Sequence, residues 1–599
     1  MAGHLGAKLG CFAVISDTHV NPEEDRCNSP FPVNKRANRR FRHVIRDLNQ
    51  QPIDFVVHTG DLVHPVPEAG PAYSQAAEVY RSITTELTVP IHELPGNHDI
   101  GDTPISGAPA SPTTDGMIKA WTQEFGAQYQ AFEAYGIKFL LLNAQLINSG
   151  LPNEAAQKDW LEAELKGVSG QRVMLFLHHP PYLMQPEERD HYDNTNQPGR
   201  AWLLDLVQQH GVEAMFAGHA HNFWYDRFGQ TDYYMAPATS FVRQDYSEML
   251  RAAPSDDSEF GRDDKAKLGY FLVTVYENGH TVRMIRTFGA EAGEQDKSSA
   301  PQPRAPDPRT PSRPVLGFDL RQNWAEVTEV PPSGGLDEFD RKLVRNDYPL
   351  LALQEMGVRH VRIPLADLAD PERRKRLPLL QHLGFRITLF SYGLGDTEAR
   401  RLTARHAHCL QDWEVTIDWP DFTGILPALL EMKERTRLPI YLSRIRTKAD
   451  LQSAGTYFHV INHGFSATDI PQLNEIAANG LDGAVFRLGC QEAPAKTLQD
   501  ADAAAGSCGL KASVHMRMGH DNPALPAEDE DASAKRLSEA MQTAARLLHC
   551  RLVCDTLVSV DRGYFPRVGM IDRYCNPTRL LEVVKSEHAN LASAKRQSV

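Results

Sequence analysis

Short apolar runs alternate with amphipathic stretches along residues 1–288. The runs Cys11–Ser16, Phe55–His58, Ile91–Leu94, Phe139–Asn143, Val173–Leu177, Ala214–Ala217, Tyr233–Ala236, Tyr270–Tyr276 and Thr281–Thr287 predict strands. Asn38–Gln50, Ala72–Leu87, Gly116–Phe125, Glu154–Lys166 and Ala201–His210 carry helical periodicity. Helices set between strands predict βαβ units and an α/β fold. Asn278-Gly279 separates the last two runs and predicts a hairpin there.

The pattern stops at Gly289. Through Pro314 almost no side chain is able to build a core, and prolines at 301, 303, 306, 308, 311 and 314 favour an extended linker. A second rhythm begins at Val315. Val315–Leu320, His360–Ile363, Arg386–Phe390, Glu414–Asp418, Ile440–Ser443, Phe458–Asn462, Gly483–Arg487, Lys511–His515 and Leu552–Val560 predict strands, many of them separated by helical stretches. Eight or nine strand–helix units in this length predict a (β/α)8-barrel-like domain, which takes about 250 residues. The expected domains are therefore 1–288, a linker 289–314, and 315–599.

Composition narrows the function. With 41 % hydrophobic and 23 % charged residues the chain has the make-up of a soluble globular protein. A net charge of −14 argues against a partner recognised through its phosphates by a basic surface, such as a nucleic acid polymer or an anionic membrane. A phosphate-handling enzyme stays open, because bound dications supply positive charge locally. No run approaches the roughly 20 apolar residues of a spanning helix. Eight scattered cysteines form neither a disulfide framework nor a zinc-finger pattern, so a cytoplasmic location is expected.

Five polar motifs follow predicted strands: Asp17-Thr18-His19, Gly60-Asp61, Gly96-Asn97-His98-Asp99, His178-His179-Pro180-Pro181 and Gly218-His219-Ala220-His221. Ligand sites in α/β sheets lie outside the carboxyl ends of strands. Carboxylates, an amide and imidazoles without thiolates suit manganese, iron(II) or zinc. One carboxylate can bridge two ions about 3.5–4 Å apart, which hold a phosphate oxygen and activate water. His58, His64 and His92 lie near these motifs and are expected to be structural or to support the ligands.

This order of motifs resembles the calcineurin-like metallophosphoesterases over about residues 10–290. The resemblance implies a four-layer α/β/β/α sandwich and a dinuclear centre of Mn2+, Fe2+ or Zn2+. It assigns Asp17, His19, Asp61 and His221 to one metal. Asp61 bridges to a second, completed by Asn97, His178 and His219. His98 matches the family's catalytic histidine, and Asp99 would orient it. Asn97, His98 and His179 are candidate substrate contacts, His179 alternatively bonding a carbonyl.

The implied reaction is in-line attack of a metal-held hydroxide on phosphorus, with His98 assisting the leaving alcohol. The segment Leu141–Leu165 resembles the cyclic-nucleotide and glycerophosphodiester phosphodiesterase branch, although that branch often carries aspartate at the place of Asn143. A phosphodiester is the expected substrate, with the barrel shaping substrate or partner choice. A monoesterase acting on nucleotides or phosphoproteins, and a scaffold with a vestigial site, are the alternatives. The expected partner is a small-molecule phosphate ester, with a possible homo-oligomer. Variable loops Asn21–Arg42, Gly101–Asp115, Gln185–Gly199 and Arg243–Asp264 are candidate sources of substrate contacts, the second as a lid. Barrel strand ends carry Arg362, Tyr392, Asp418, Arg444, His463, Arg487, His515, Arg517 and Asp561, without the carboxylate pair a glycosidase needs.

Overall fold

The structure, a computed structural model, describes residues 5–104, 111–168, 170–243, 265–293, 315–331, 338–446, 462–520, 525, 529–559 and 568–596. Contacts divide the chain into two compact units. Eleven strands of the first unit are β1 (Lys8–Ile15), β2 (Val56–His58), β3 (Ile91–Glu93), β4 (Gln130–Ala134), β5 (Ile137–Leu141), β6 (Arg172–Phe176), β7 (Ala214–Ala217), β8 (Trp224–Phe228), β9 (Thr231–Met235), β10 (Gly269–Tyr276) and β11 (Gly279–Arg286). They form a five-stranded sheet, β11-β10-β1-β2-β3, and a six-stranded sheet, β4-β5-β6-β7-β9-β8. Strands β1, β2 and β3 run parallel, as do β5, β6, β7 and β9. β4 and β8 are antiparallel edge strands that the hydrophobic pattern did not predict. Both are partly exposed, so their apolar runs are short.

Alternation along β1 shows why the sandwich forms. Cys11, Ala13 and Ile15 turn to a cluster with Phe41, Tyr80 and Trp121 from helices Ala37–Leu48, Pro71–Thr84 and Asp115–Glu124. Phe12 turns the other way, stacking on Phe55 at 5.0 Å and meeting Phe139 edge-on at 5.3 Å. From Phe139 an aromatic row crosses β5, β6, β7 and β9 through Phe176, Phe216 and Tyr234. Burying each ring is worth on the order of 2 kcal/mol. Helices Pro152–Gly167 and Gly199–Gln209 cover the outer face of the six-stranded sheet. The layers are α/β/β/α.

A hairpin, β13 (Val327–Val330) and β14 (Lys342–Arg345), departs from the expected boundary at 315. Glu326–Tyr348 clusters with the first unit. Val330 and Val344, both wholly buried, pack into the cluster over the six-stranded sheet. Of the linker, residues 294–314 lie outside the described residues.

The second unit is a closed parallel barrel of β12 (Leu316–Asp319), β15 (His360–Pro364), β16 (Arg386–Tyr392), β17 (Asp412–Ile417), β18 (Ile440–Arg444), β19 (Gly483–Leu488), β20 (Lys511–Met516) and β21 (Cys550–Cys554). The expected strand at Phe458–Asn462 falls almost wholly outside the described residues, as does Asp561. Inside, Glu414 accepts from Arg362, Arg551 and Ser513 and lies 3.0 Å from His515. Arg444 pairs with Asp469 and Arg517 with Asp555, while Tyr392 donates to Asp418. The strand-end arginines 362, 444 and 517 are thus ion-paired barrel residues. No described helix is long and apolar enough to cross a membrane.

Glu213 latches the two sheets at the end away from the motifs. It accepts from Arg172 at the start of β6 and from His280 on β11. Burial alone would raise its carboxyl, but those hydrogen bonds outweigh it and bring it down to about 2. The folded value lies below the ordinary one, so the stabilisation is full above about pH 4.5 and fades as pH falls toward 2. Glu213→Gln should lose about 2–3 kcal/mol at pH 7 in urea unfolding. Its gap from wild type should narrow steadily below pH 4.5.

Candidate metal centre

The seven expected ligands converge where the carboxyl ends of parallel strands from both sheets meet. Asp17 and His19 follow β1, Asp61 follows β2, and Asn97 follows β3. His178 follows β6, while His219 and His221 follow β7. The loops continue the strand ladders. Asp17 N–H donates to the Gly60 carbonyl, His19 N–H to that of Asp61, and Gly218 N–H to that of His178. Two glycines of the motifs are steric necessities. A Cβ on Gly96 would lie 2.2 Å from Asp61 Oδ1, and one on Gly218 would lie 2.1 Å from Ser16 Oγ.

Asp17, His19, Asp61 and His221 bring ligand atoms within 4.8 Å of one another, all buried. Asn97 Oδ1 lies 3.1 Å from His178 Nε2 and 3.0 Å from His219 Nδ1, forming a second group. Asp61 faces both: Oδ2 is 3.5 Å from His19 Nε2 and Oδ1 is 3.4 Å from His178 Nε2.

Partners on the outer side settle which atoms face inward. His178 Nδ1–H donates to the Thr59 carbonyl and His221 Nδ1–H to that of Phe241, both at 2.8 Å. Their Nε2 atoms therefore point into the site. Asn97 Nδ2 donates to the Tyr192 hydroxyl at 3.2 Å, turning Oδ1 inward. His19 Nε2 lies 3.1 Å from His221 Nε2. His221 Nε2 is also 3.1 Å from Asp17 Oδ1, which makes no hydrogen bond. Buried carboxylate, amide and imidazole atoms gathered at these distances form a set suited to holding cations. Two divalent ions fit this donor set.

Backbone geometry reinforces this. Asp17, His19, Asp61, His219 and His221 all have φ between 45° and 68°, a region costly for non-glycine residues. Such strain persists where the surroundings over-determine it, and it clusters at functional sites.

Burial pushes both carboxyls upward, but His221 beside Asp17 and His178 beside Asp61 hold them below their usual range. Burial drives His19 well below the ordinary imidazole value and His219 down to about 4. His178 is opposed by burial yet raised to about 9, chiefly by Asp61. A divalent ion held there would displace that proton.

His98 lies at the partly open edge. Its N–H donates to Asp61 Oδ1 at 2.9 Å, and its ring Nδ1–H donates to the His64 carbonyl at 2.6 Å. Asp99 does not orient the ring, contrary to the expectation. The short helix Asn97–Ile100 turns its carboxylate back to the N–H groups of Leu62, Val63 and Gly96. Asp99 thus ties the Asp61 loop to the Asn97 loop. His179 is fully buried, accepting from Gln145 Nε2 and donating Nε2–H to the Tyr192 carbonyl. It bonds a carbonyl and has no surface left for substrate.

Of the three nearby histidines, His58 supports the loops through Gly60 N–H and Thr18, and His92 stacks on Phe132. His64 is different, grouping with His19 and His98. Asn143 Nδ2 donates to Gln128 Oε1, a bond that an aspartate is unable to make. Sequence reasoning missed Tyr192 and Asp193, which the loop Gln185–Gly199 inserts beside Asn97 and His219. Their signal is weak, because neither adjoins a strand end. The loop Gly101–Asp115 is tied at its described ends by the Thr113 N–H to Asp102 carbonyl bond, and 105–110 lies outside the described residues. Most of Arg243–Asp264 lies outside as well.

The α/β/β/α fold and the paired His/Asp clusters are features of a dinuclear metallophosphoesterase domain. Residues 12–223 match the calcineurin-like phosphoesterase family, so this part of the chain is a domain of that family. It is 33 % identical over 195 residues to the Serine/threonine-protein phosphatase CPPED1 of Pongo abelii, covering 31 % of this chain and 59 % of the relative. The protein of that name from Danio rerio is 31 % identical over 174 residues, 28 % of this chain and 53 % of the relative. A Probable glycerophosphodiester phosphodiesterase GpdQ from Arcobacter nitrofigilis is 26 % identical over 212 residues, 35 % of this chain and 70 % of the relative. The chain spans little more than half the length of these phosphatase relatives.

Gly96→Ala should displace the Asp61 carboxylate and lower metal content from two ions to fewer than one per chain. Elemental analysis with circular dichroism checks this, the latter showing an unchanged fold.

Proposed function

We propose that the protein hydrolyses a phosphate ester at this centre, with a phosphodiester as substrate. The observation that carries the reading is Asp61, whose two oxygens face separate ligand groups at 3.5 and 3.4 Å. Two divalent ions held there would supply Lewis acidity toward phosphoryl oxygens and a water acidified to near neutral pH. Asp17, His19 and His221 would hold one ion and Asn97, His178 and His219 the other, with Asp61 between the two groups. Tyr192 keeps the Asn97 amide turned so that its oxygen faces inward. The His64 carbonyl fixes the His98 ring through Nδ1, leaving Nε2 as the atom that passes a proton to the departing alcohol.

The diester preference is supported by extent of match. The relatives named as glycerophosphodiester phosphodiesterases match over 70 % and 77 % of their length, the phosphatases over 53–59 %. A monoesterase reading has the higher identity of those phosphatases behind it. The barrel keeps the proposed role of shaping substrate or partner choice.

Metal-stripped protein resupplied with Mn2+ should hydrolyse a chromogenic phosphodiester faster than its monoester, and Asp61→Asn should do neither. Faster monoester turnover would shift the assignment to a phosphatase. Absence of both would remove the catalytic reading. His98→Ala should keep both metals yet turn over about 100-fold more slowly. Unchanged turnover would remove His98 from proton transfer.

A further inference from the structure

Lys342 comes from β14, far along the chain from every metal motif. Its side chain is 1 % exposed, and its ammonium pairs with Asp193 Oδ2. Arg243 pairs with Asp193 Oδ1. Asp193 is fully buried and faces His219 Nε2 at 3.5 Å. His219 turns its other nitrogen, Nδ1, to Asn97 Oδ1 in the second ligand group. A carboxylate on the outer nitrogen of a ligating imidazole fixes ring orientation and raises ligand basicity. Two cations on that carboxylate fix the carboxylate in turn.

The same hairpin grips the chain just after the last motif. Tyr348 OH donates to Asn222 Oδ1 at 2.7 Å, one residue beyond His221. Asp347 accepts from Tyr225 N–H at 3.1 Å, Arg345 donates to the Tyr225 carbonyl at 3.2 Å, and Trp224 Nε1–H donates to the Arg345 carbonyl. A free-standing ion pair would need none of this. The hairpin is built to deliver a buried charge to one address.

We propose that Lys342 is a positioning residue for the second metal position, acting through Asp193 on His219. The metal centre is then completed by a segment lying beyond the proline-rich linker. This rests on the two-metal reading above.

The test uses the full chain, stripped of metal and titrated with Mn2+ by calorimetry, with electron paramagnetic resonance reporting a spin-coupled ion pair. Wild type should bind two ions and show the coupled signal. Lys342→Met should hold the first ion normally, bind the second about tenfold or more weakly, and lose the coupled signal at matched loading. Lys342→Arg should restore both. Should near-ultraviolet circular dichroism show Lys342→Met unfolded, Lys342→Gln replaces it, with the same loss expected in smaller degree. Two ions bound with wild-type affinity and an intact coupled signal overturn the proposal. So does equal weakening of both ions, which makes the pair merely structural. A wild type that binds no ion pair sinks the two-metal reading itself and the proposal with it.

Discussion

A buried carboxylate that serves two groups of ligands is the constraint on which the rest of this unit depends. Asp61 is 2 % exposed and is flanked on both oxygens by imidazole nitrogens. Burying such a charge is costly unless cations and hydrogen bonds surround it. No single strand end provides that environment. The five-stranded sheet brings Asp17, His19, Asp61 and Asn97, while the six-stranded sheet brings His178, His219 and His221. The aromatic row between the sheets therefore has a functional role: it fixes the separation at which the two sets of strand ends meet. A change of register in either sheet would turn its ligands to the wrong face.

Precision at the site comes from the layer behind the ligands. The carbonyls of Thr59, Phe241 and His64 each take an imidazole Nδ1–H, so three rings have their inward atoms decided by main chain rather than by flexible side chains. Asp99 binds three backbone N–H groups and locks two loops together. The left-handed conformations at five ligands each cost on the order of 1–3 kcal/mol. The ladder bonds between the loops and the packed sheets beneath are what hold them there.

Much of this was legible in the sequence, for a physical reason. Ligands that follow buried strands leave an apolar run, then a polar group, often with a glycine where no Cβ fits, and all three marks are local. His178 rather than His179 faces Asn97. What was not local was misread. Asp99 adjoins His98 in sequence, yet a single helical turn points its carboxylate away. Tyr192 and Asp193 sit in a polar loop that looks like solvated surface, and only tertiary packing turns them inward. His64 resembled a supporting histidine because nothing in its neighbours announces that its ring meets those of His19 and His98. The barrel was readable from its rhythm, and its fully paired Glu414 from nothing short of the structure.

The hairpin shows most clearly where covalent order and packing diverge. A proline-rich stretch marks a break in the chain, and a break in the chain suggests a break between domains. Val330 and Val344 are apolar in a pattern equally suited to either side of it. Only their burial over the six-stranded sheet assigns them. Charge tells the two buried polar systems apart. In the barrel, Glu414 accepts from two arginines and a serine, and its negative charge is answered within the protein. At the phosphoesterase centre, His221 Nε2 lies 3.1 Å from both His19 Nε2 and Asp17 Oδ1, the latter without a hydrogen bond, while the backbone around them is strained. A network that is satisfied stabilises the unit in which it lies. One that is left in need of cations is a site, and the difference is visible before any ligand is bound.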